Sequence, residues 1–265
     1  MMWENVKLGP EAFDLSGKRA LVVGAASSAG RAIALALSEA GADVTVTSAT
    51  PEAGEALAVK RLAEQIAETG RRREPQALDA SSGTAVQDMV RQVVKDMGGL
   101  DILVTAPDLF LGKEAEKTDD VEWGRILNVN LSSVFYACRA AGPEMVKQGW
   151  GRIINVASAM GDRGLANGVA YCAAKAGVMN LTRALAQEWG AHGVTVNCIA
   201  PAWLEDSPGL GDPDPQANRL IRFIPMRRPG NADEVAPLAL YLASEASGYV
   251  MGQTFFVDGG LLCHL

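Results

Sequence analysis

Hydrophobic positions along this chain fall into two alternating regimes. Short runs rich in Val and Ile, nearly apolar throughout, read as strands at 19–24, 43–48, 76–80, 100–105, 152–158, 194–200 and 254–259. Between them apolar residues recur at a helical period, which predicts helices near 29–40, 53–69, 83–97, 119–147, 168–190 and 232–244. Gly41, Gly70, Gly149 and Gly190 stand near helix ends as stop signals. Strand and helix in alternation build βαβ units, and strands apolar on both faces are covered on both sides. The pattern therefore predicts an α/β fold of three layers around a doubly wound sheet of seven parallel strands. Only residues 201–231, with Pro and Gly scattered among Asp, Arg and Trp203, break the rhythm. They predict a long loop with one short helix around 215–223, and long loops in compact domains are usually functional.

Composition narrows the function classes. With 265 residues, 48% of them hydrophobic, the chain can bury one large core, so residues 1–265 are expected to form a single domain with 1–14 as an N-terminal extension. A net charge of -7 argues against a nucleic-acid or anionic-membrane surface. The one basic run, Arg71-Arg72-Arg73, lies between Gly70 and Pro75 and reads as a solvated loop. Cys138, Cys172, Cys198 and Cys263, with His192 and His264, show neither metal-ligand spacing nor a disulfide framework. No metal is expected, and free thiols suit a reducing cytoplasm. The start, Met1 to Asn5, lacks a basic segment leading into an apolar one, and no run of about 18 apolar residues occurs, so a cytoplasmic protein with no membrane partner is expected.

The first strand runs into a glycine-bounded turn and an amphipathic helix, residues 24–41. A phosphate could rest there on free backbone N–H groups and the positive end of the helix dipole, with Ser27 or Ser28 as N-cap. Its place at the head of an alternating α/β chain favours a dinucleotide site. At the end of the second strand, Thr47-Ser48-Ala49-Thr50 has no carboxylate to exclude a 2′-phosphate, which tilts the choice from NAD towards NADP. No arginine is obviously placed to clamp that phosphate, and Ser48 could equally just end the strand. Asp79 either faces the adenine or caps the helix that follows.

The stretch AYCAAKAG, 170–177, places Tyr171 and Lys175 four positions apart on one helix face among the smallest side chains. That is either a snorkelling lysine beside a core tyrosine or a reaction site. Ser158 closes the strand thirteen residues earlier, and Asn130 lies within the preceding helix. With the glycine turn Gly24 to Gly30, the tetrad Asn130, Ser158, Tyr171 and Lys175, NCIAPAW at 197–203 and YVMGQTFFVDGG at 249–260, the chain from about Leu15 to Gly260 resembles the short-chain dehydrogenase/reductase family, whose fold is a Rossmann-type α/β sheet. The nearest branches by pattern are the 3-oxoacyl-carrier-protein reductases and the sugar or polyol dehydrogenases.

The resemblance implies hydride transfer between NAD(P) and a ketone or secondary alcohol. Negative charge builds on the carbonyl oxygen, which must receive a proton; Tyr171 is the candidate acid, and Ser158 the donor that holds the same oxygen. A phenol titrates near 10, so activity near neutrality asks it to fall by about two to three pH units, roughly 3–4 kcal/mol. Lys175 supplies part of this as a nearby cation and, by resemblance, binds the nicotinamide ribose, while Asn130 holds a water linking the lysine to solvent. The cofactor is expected against Gly24, Ser27, Ser28, Ala29, Gly30, Ser48, Asp79, Ala80, Ala106, Tyr171, Lys175, Pro201 and Leu204. The small residues Ala173, Ala174, Ala176 and Gly177 would let the helix approach the cofactor and, by resemblance, the matching helix of a neighbouring subunit; the family is typically dimeric or tetrameric, so a homodimer or homotetramer is expected.

Three features depart from the family pattern. Val23 and Ser28 replace a threonine and a glycine of the turn. Thr105-Ala106-Pro107-Asp108 stands where Asn-Asn-Ala-Gly braces the central sheet. Ala202 and Asp206 replace a glycine and a threonine, with Ser207 able to take over after a one-residue shift. These motivate an alternative: a dinucleotide-binding regulatory or scaffolding protein without turnover. Substrate contacts, or equally loop packing and solubility, are expected of residues in 159–168 (Met160, Asp162, Arg163, Leu165) and in the loop (Trp203, Leu204, Leu210, Leu220, Ile221, Phe223, Met226, with Glu205, Asp206, Asp212 and Asp214). A mixed apolar and acidic lid suits a small neutral carbonyl compound. An acidic carrier protein would call for a basic entrance, which Gln148-Gly149-Trp150 does not offer.

Overall fold

The computed structural model describes residues 9–70, 77–207 and 220–263. Six strands form one parallel sheet: β1 (Arg19–Val23), β2 (Asp43–Thr47), β3 (Ile102–Thr105), β4 (Gly151–Val156), β5 (Val194–Pro201) and β6 (Thr254–Val257), in the order β2-β1-β3-β4-β5-β6. The helices are α1 (Ser28–Glu39), α2 (Ala53–Glu68), α3 (Gly83–Met97), α4 (Asp120–Leu127), α5 (Ser133–Gln148), the short α6 (Met160–Arg163), α7 (Val169–Trp189) and α8 (Ala236–Ala243).

Alternation along each strand divides the core in two. On β1, Ala20 and Val22 pack with Ile33 and Leu37 of α1, Leu62 and Ile66 of α2 and Leu242 of α8. Leu21 and Val23 turn the other way, to Val90 of α3, Val134 and Ala137 of α5 and Val178 of α7. Each of the Val, Leu and Ile side chains, fully buried, contributes about 1.5–3 kcal/mol, which is why strands apolar on both faces sit between two helical layers. The chain steps from β1 out to β2 and then crosses back to β3 on the far side of β1. Where strand order reverses, the turns after β1 and β3 separate and leave a crevice at the carboxyl ends of the strands.

The seventh predicted strand, 76–80, is not formed. Gln76 lies outside the described residues, and 77–80 take no strand pairing. Leu78 N donates to Ser48 Oγ at 2.9 Å, Ser48 Oγ lies 3.2 Å from Leu78 O, and Ala80 N donates to Ala49 O at 3.0 Å. One serine hydroxyl thus occupies both polar groups of Leu78 that a ladder would need.

The long helix predicted at 119–147 is interrupted. Asp119 and Glu122 form a capping box at the start of α4, and between α4 and α5 Asn128–Ser132 widen into a π-helical turn that holds Asn130. Of the predicted stop glycines, Gly41, Gly70 and Gly149 have positive φ. Gly190 is right-handed, and Gly193 (φ 77°) makes the turn into β5 instead. Arg71 to Arg73 and most of the helix expected at 215–223 lie outside the described residues; 220–222 are helical.

Candidate active site

The crevice holds a cavity of ≈ 280 Å³ lined by the first turn of α1, the ends of β3, β4 and β5, and α7. Its floor depends on two glycines. Gly24 has φ 79°, and a Cβ there would come within 2.6 Å of Pro107 N and 2.7 Å of Ala106 C. A Cβ on Gly30 would meet Gly24 O at 2.6 Å. Ser27 is the N-cap of α1: its Oγ accepts from Gly30 N at 3.1 Å and lies 2.8 Å from Ala106 O, joining the turns after β1 and β3. Ser28 opens the helix, and Ala26, Ser27, Ser28 and Ala29 face the same cavity as Tyr171 and Lys175. The cradle fits a dinucleotide: first-turn N–H groups, which have no partner within their helix, lie at one end of a cavity that Ser158, Tyr171 and Lys175 also line.

Three predicted cofactor residues are placed otherwise. Ser48 is fully buried with its hydroxyl committed to Leu78, so it offers nothing to a ribose or phosphate. Asp79 caps no helix: its Oδ1 accepts from Ser81 N at 3.0 Å and Ser81 Oγ at 2.6 Å, while Ser82 caps α3 through Ala85 N. Ala80 is fully buried beside it, tied to Ala49, and none of the three lines the cavity.

Three members of the tetrad meet. Tyr171 and Lys175 share one face of α7, and Ser158 faces them from the end of β4. Gly161 and Gly177 seat α7: added Cβ atoms would meet Ala176 N at 2.7 Å and Leu131 Cδ2 at 2.8 Å. Smallness here serves packing within the chain, against α6 and the π-helical turn. Asn130 stays out of the cavity. Its Nδ2 donates to Leu109 O at 2.8 Å and Ile126 O at 3.0 Å, and its Oδ1 accepts from Leu109 N at 3.0 Å. Both amide hydrogens are spent, so this side chain pins the backbone of Leu109 instead of reaching towards the lysine.

Asp108 changes the electrostatics. The Tyr171 hydroxyl donates to Asp108 Oδ1 at 2.8 Å, and Lys175 Nζ lies 3.3 Å from the same oxygen while donating to Pro107 O at 2.8 Å. Burial pushes the Tyr171 phenol well above its ordinary range; the Asp108 charge and the hydrogen bond to it push the same way, against a smaller opposing effect of Ser158. The expectation that Lys175 lowers the phenol is thus reversed: burial first, and then the Asp108 carboxylate that also binds Lys175, hold the phenol up. Phe110 meets the Tyr171 ring edge-on, centroids 5.4 Å apart, and also lines the cavity. Sequence reasoning missed both residues; the available signal was an acid where a glycine was expected.

The brace that Asn-Asn-Ala-Gly would give is supplied within the sheet. Thr105 Oγ1 donates to Asn155 Oδ1 at 2.7 Å across the β3–β4 register, and Asn155 Nδ2 donates to Thr182 Oγ1 at 3.0 Å. On the loop side Pro201, Ala202, Trp203, Leu204, Asp206 and Ser207 line the cavity, with Leu204 N donating to Ser207 Oγ at 2.9 Å. From the other stretch Met160 and Leu165 line it, whereas Asp162 and Arg163 do not; Arg163 lies over the exposed Phe223 ring. Leu220, Ile221 and Met226 lie off the cavity, and Leu210, Asp212 and Asp214 fall outside the described residues. Among the described residues no cluster could hold a metal, and no helix is long and apolar enough to cross a membrane.

Known proteins share this arrangement of chain and fold. A family model described as Enoyl-(Acyl carrier protein) reductase matches residues 24–262. The 2-dehydro-3-deoxy-D-gluconate 5-dehydrogenase of Bacillus subtilis is 38% identical over 254 residues, 95% of this chain and 97% of that protein. The D-threitol dehydrogenase of Mycolicibacterium smegmatis is 37% identical over 249 residues, 94% of each chain. The crystal structure of a gluconate 5-dehydrogenase from Burkholderia cenocepacia, in complex with NADP and tartrate, matches with a TM-score of 0.88 at 30% identity, covering 96% of this chain and 98% of that one.

Proposed function

We propose that this chain, which belongs to the short-chain dehydrogenase/reductase family and acts on CH–OH groups with NAD(P), interconverts a small neutral secondary alcohol of the sugar or polyol kind and its ketone, with NADP preferred to NAD. The observation that carries the reading is the charge balance of the cavity. Among the described residues, Asp108 and Asp206 line it with one cation, Lys175, and that cation is already paired to Asp108. The carboxylate of a sugar acid would meet like charge there, at a cost that a neutral polyol avoids. Among the relatives, the threitol enzyme is named for a neutral substrate and the gluconate enzymes for anionic ones.

In this reading the turn Ser27 to Gly30 holds the pyrophosphate, Ala106, Pro201 and Leu204 flank the nicotinamide, and Lys175 binds its ribose. The cofactor accepts or supplies the hydride. Tyr171 transfers the proton at the substrate oxygen, and Ser158 holds that oxygen and stabilises its charge. Asn130 is reassigned to positioning the 107–109 turn. At the end of β2 Glu55 Oε2 accepts from Ala49 N and Thr50 N at 2.8 and 3.0 Å, so a carboxylate stands there after all, and the support for NADP is the NADP bound in the related gluconate 5-dehydrogenase structure. We further read the chain as one domain working as a cytoplasmic homo-oligomer: its cysteines are free thiols, and Trp123 and Phe135 leave apolar surface exposed on α4 and α5.

The test is a kinetic panel of neutral polyols, their ketones and sugar acids, each with NADP(H) and NAD(H). Neutral substrates with NADP(H) are expected to give the highest kcat/KM, and Tyr171→Phe to lose about 10²–10⁴-fold in kcat with an unchanged fold. Near-normal turnover by that variant, or a clear preference for sugar acids, would overturn the reading. Saturable dinucleotide binding without turnover of any alcohol or ketone would favour a binding or scaffolding role.

A further inference from the structure

We infer that Asp108 is a positioning residue for proton transfer: its carboxylate takes the Tyr171 phenolic proton while the phenolic oxygen takes the proton of the substrate alcohol. This rests on the proposed alcohol–ketone chemistry. The carboxylate is held in place rather than merely nearby. The residue before it is clamped by Lys175 Nζ on Pro107 O at 2.8 Å. The residue after it is clamped on both backbone groups by Asn130, at 3.0 and 2.8 Å. Between these clamps Asp108 Oδ1 accepts the Tyr171 hydroxyl at 2.8 Å, and its side chain keeps 43% exposure, so one face meets solvent and the other the phenol.

The chemistry balances. In oxidation the substrate O–H bond breaks as a new O–H forms at Tyr171 Oη, and the original Tyr171 O–H breaks as one forms at Asp108 Oδ1. The carbinol C–H breaks with its electron pair going to the oxidised nicotinamide, so the alcohol loses two electrons and the nicotinamide gains them. Asp108 then returns its proton to water through its exposed face. Reduction runs the same bonds backwards. Tyr171 therefore never has to become a free phenolate in a buried site beside a carboxylate, which burial and the Asp108 charge disfavour. Among the described residues, the charged and titratable groups facing this pair are Lys175 and Cys172 of α7 and Asp206 across the cavity.

Two readouts test this, one of them without cofactor. In ligand-free protein the phenolate absorbance of Tyr171, isolated by difference from Tyr171→Phe, is expected to appear at lower pH in Asp108→Asn by about one pH unit or more. In the wild type, kcat/KM for alcohol oxidation stays level from about pH 9 down to about pH 7, because the phenol need not ionise. In Asp108→Asn the base has to be phenolate, so the rate falls about tenfold per pH unit over that span and is about 10²-fold below wild type near neutrality. Asp108→Glu, which keeps the carboxylate, retains the level profile. Should Asp108→Asn not fold, Asp108→Ser carries the same two readouts. An unchanged phenolate midpoint, or a level profile without the carboxylate, overturns the inference and leaves Asp108 as a counter-charge for Lys175. If the wild type turns over no neutral alcohol, the proposed substrate class fails, while the ligand-free titration still decides whether Asp108 governs the phenol.

Discussion

Replacing Asn155 by leucine probes what holds the centre of the sheet in this chain. Thr105, Asn155 and Thr182 are each fully buried, and Thr105 Oγ1 donates to Asn155 Oδ1 at 2.7 Å. In Asn155→Leu that hydroxyl keeps its place and loses its acceptor, which costs about 1–3 kcal/mol. Thr182 is affected less, because its hydroxyl still donates to Val178 O at 2.9 Å; losing the bond from Asn155 Nδ2 costs about 1 kcal/mol. The extra apolar surface of leucine offsets about 1 kcal/mol. The net loss is about 2 kcal/mol, which for a chain of this size lowers Tm by about 4–8 °C. In a Thr105→Val background no hydroxyl is left orphaned, and the same substitution is expected to cost about 1–2 kcal/mol less. Thermal and urea unfolding of the wild type, both single variants and the double variant measure this coupling. Additivity within about 0.5 kcal/mol would refute the bond as the brace, whatever the single variants do.

Two further perturbations address the turn after β1 and the far end of the sheet. Gly24→Ala places a side chain at φ 79°, costing about 1–2 kcal/mol, with its Cβ 2.6 Å from Pro107 N. Because Pro107 O holds Lys175, the displaced turn is expected to weaken NADPH binding about tenfold or more in a fluorescence titration, and an unchanged Kd would contradict the cradle. At the opposite end, burial raises the Asp101 carboxyl, but the side-chain and backbone hydrogen bonds from Arg19, with the charges of Arg19 and Lys18, outweigh it and leave Asp101 below its ordinary value. A carboxylate lowered by folding stabilises above its unfolded value near 4 and loses that contribution as pH falls through the folded value. Asp101→Asn is therefore expected to destabilise by about 1–3 kcal/mol at pH 7, with the gap to wild type closing below about pH 4. A Tm difference that stays the same at about pH 3 would rule this linkage out.

The layered fold was legible because the period of the apolar residues changes wherever the chain passes from strand to helix. The glycine turn and the pair Tyr171 and Lys175 were legible because local spacing alone puts them on one helix terminus and one helix face. What failed depended on partners distant in sequence. The run 76–80 has strand composition, but Ser48, about thirty positions away, satisfies the backbone that a ladder would use. Asn130 has the expected position, yet the π-helical turn aims its amide at Leu109. A helical period cannot reveal a π-helical turn, since one extra residue in a long helix barely alters the apolar pattern.

Asp108 is the instructive case, because in sequence it registers as a missing glycine and in space as an added carboxylate. The two views join at Thr105. Once Thr105 and Asn155 brace the sheet, the turn after β3 no longer needs asparagine amides, and positions 106–108 are free to change. Pro107 gives up an N–H but keeps the carbonyl that Lys175 uses, and Asp108 then brings a carboxylate to the Tyr171 hydroxyl. A chain that had merely lost the motif would have no reason to hold the new acid between two clamps and against the phenol. The altered motif is thus better understood as a rearrangement within one turn: the sheet is braced from β4, and the carboxylate at position 108 is held against the phenol, where we propose it takes part in proton transfer.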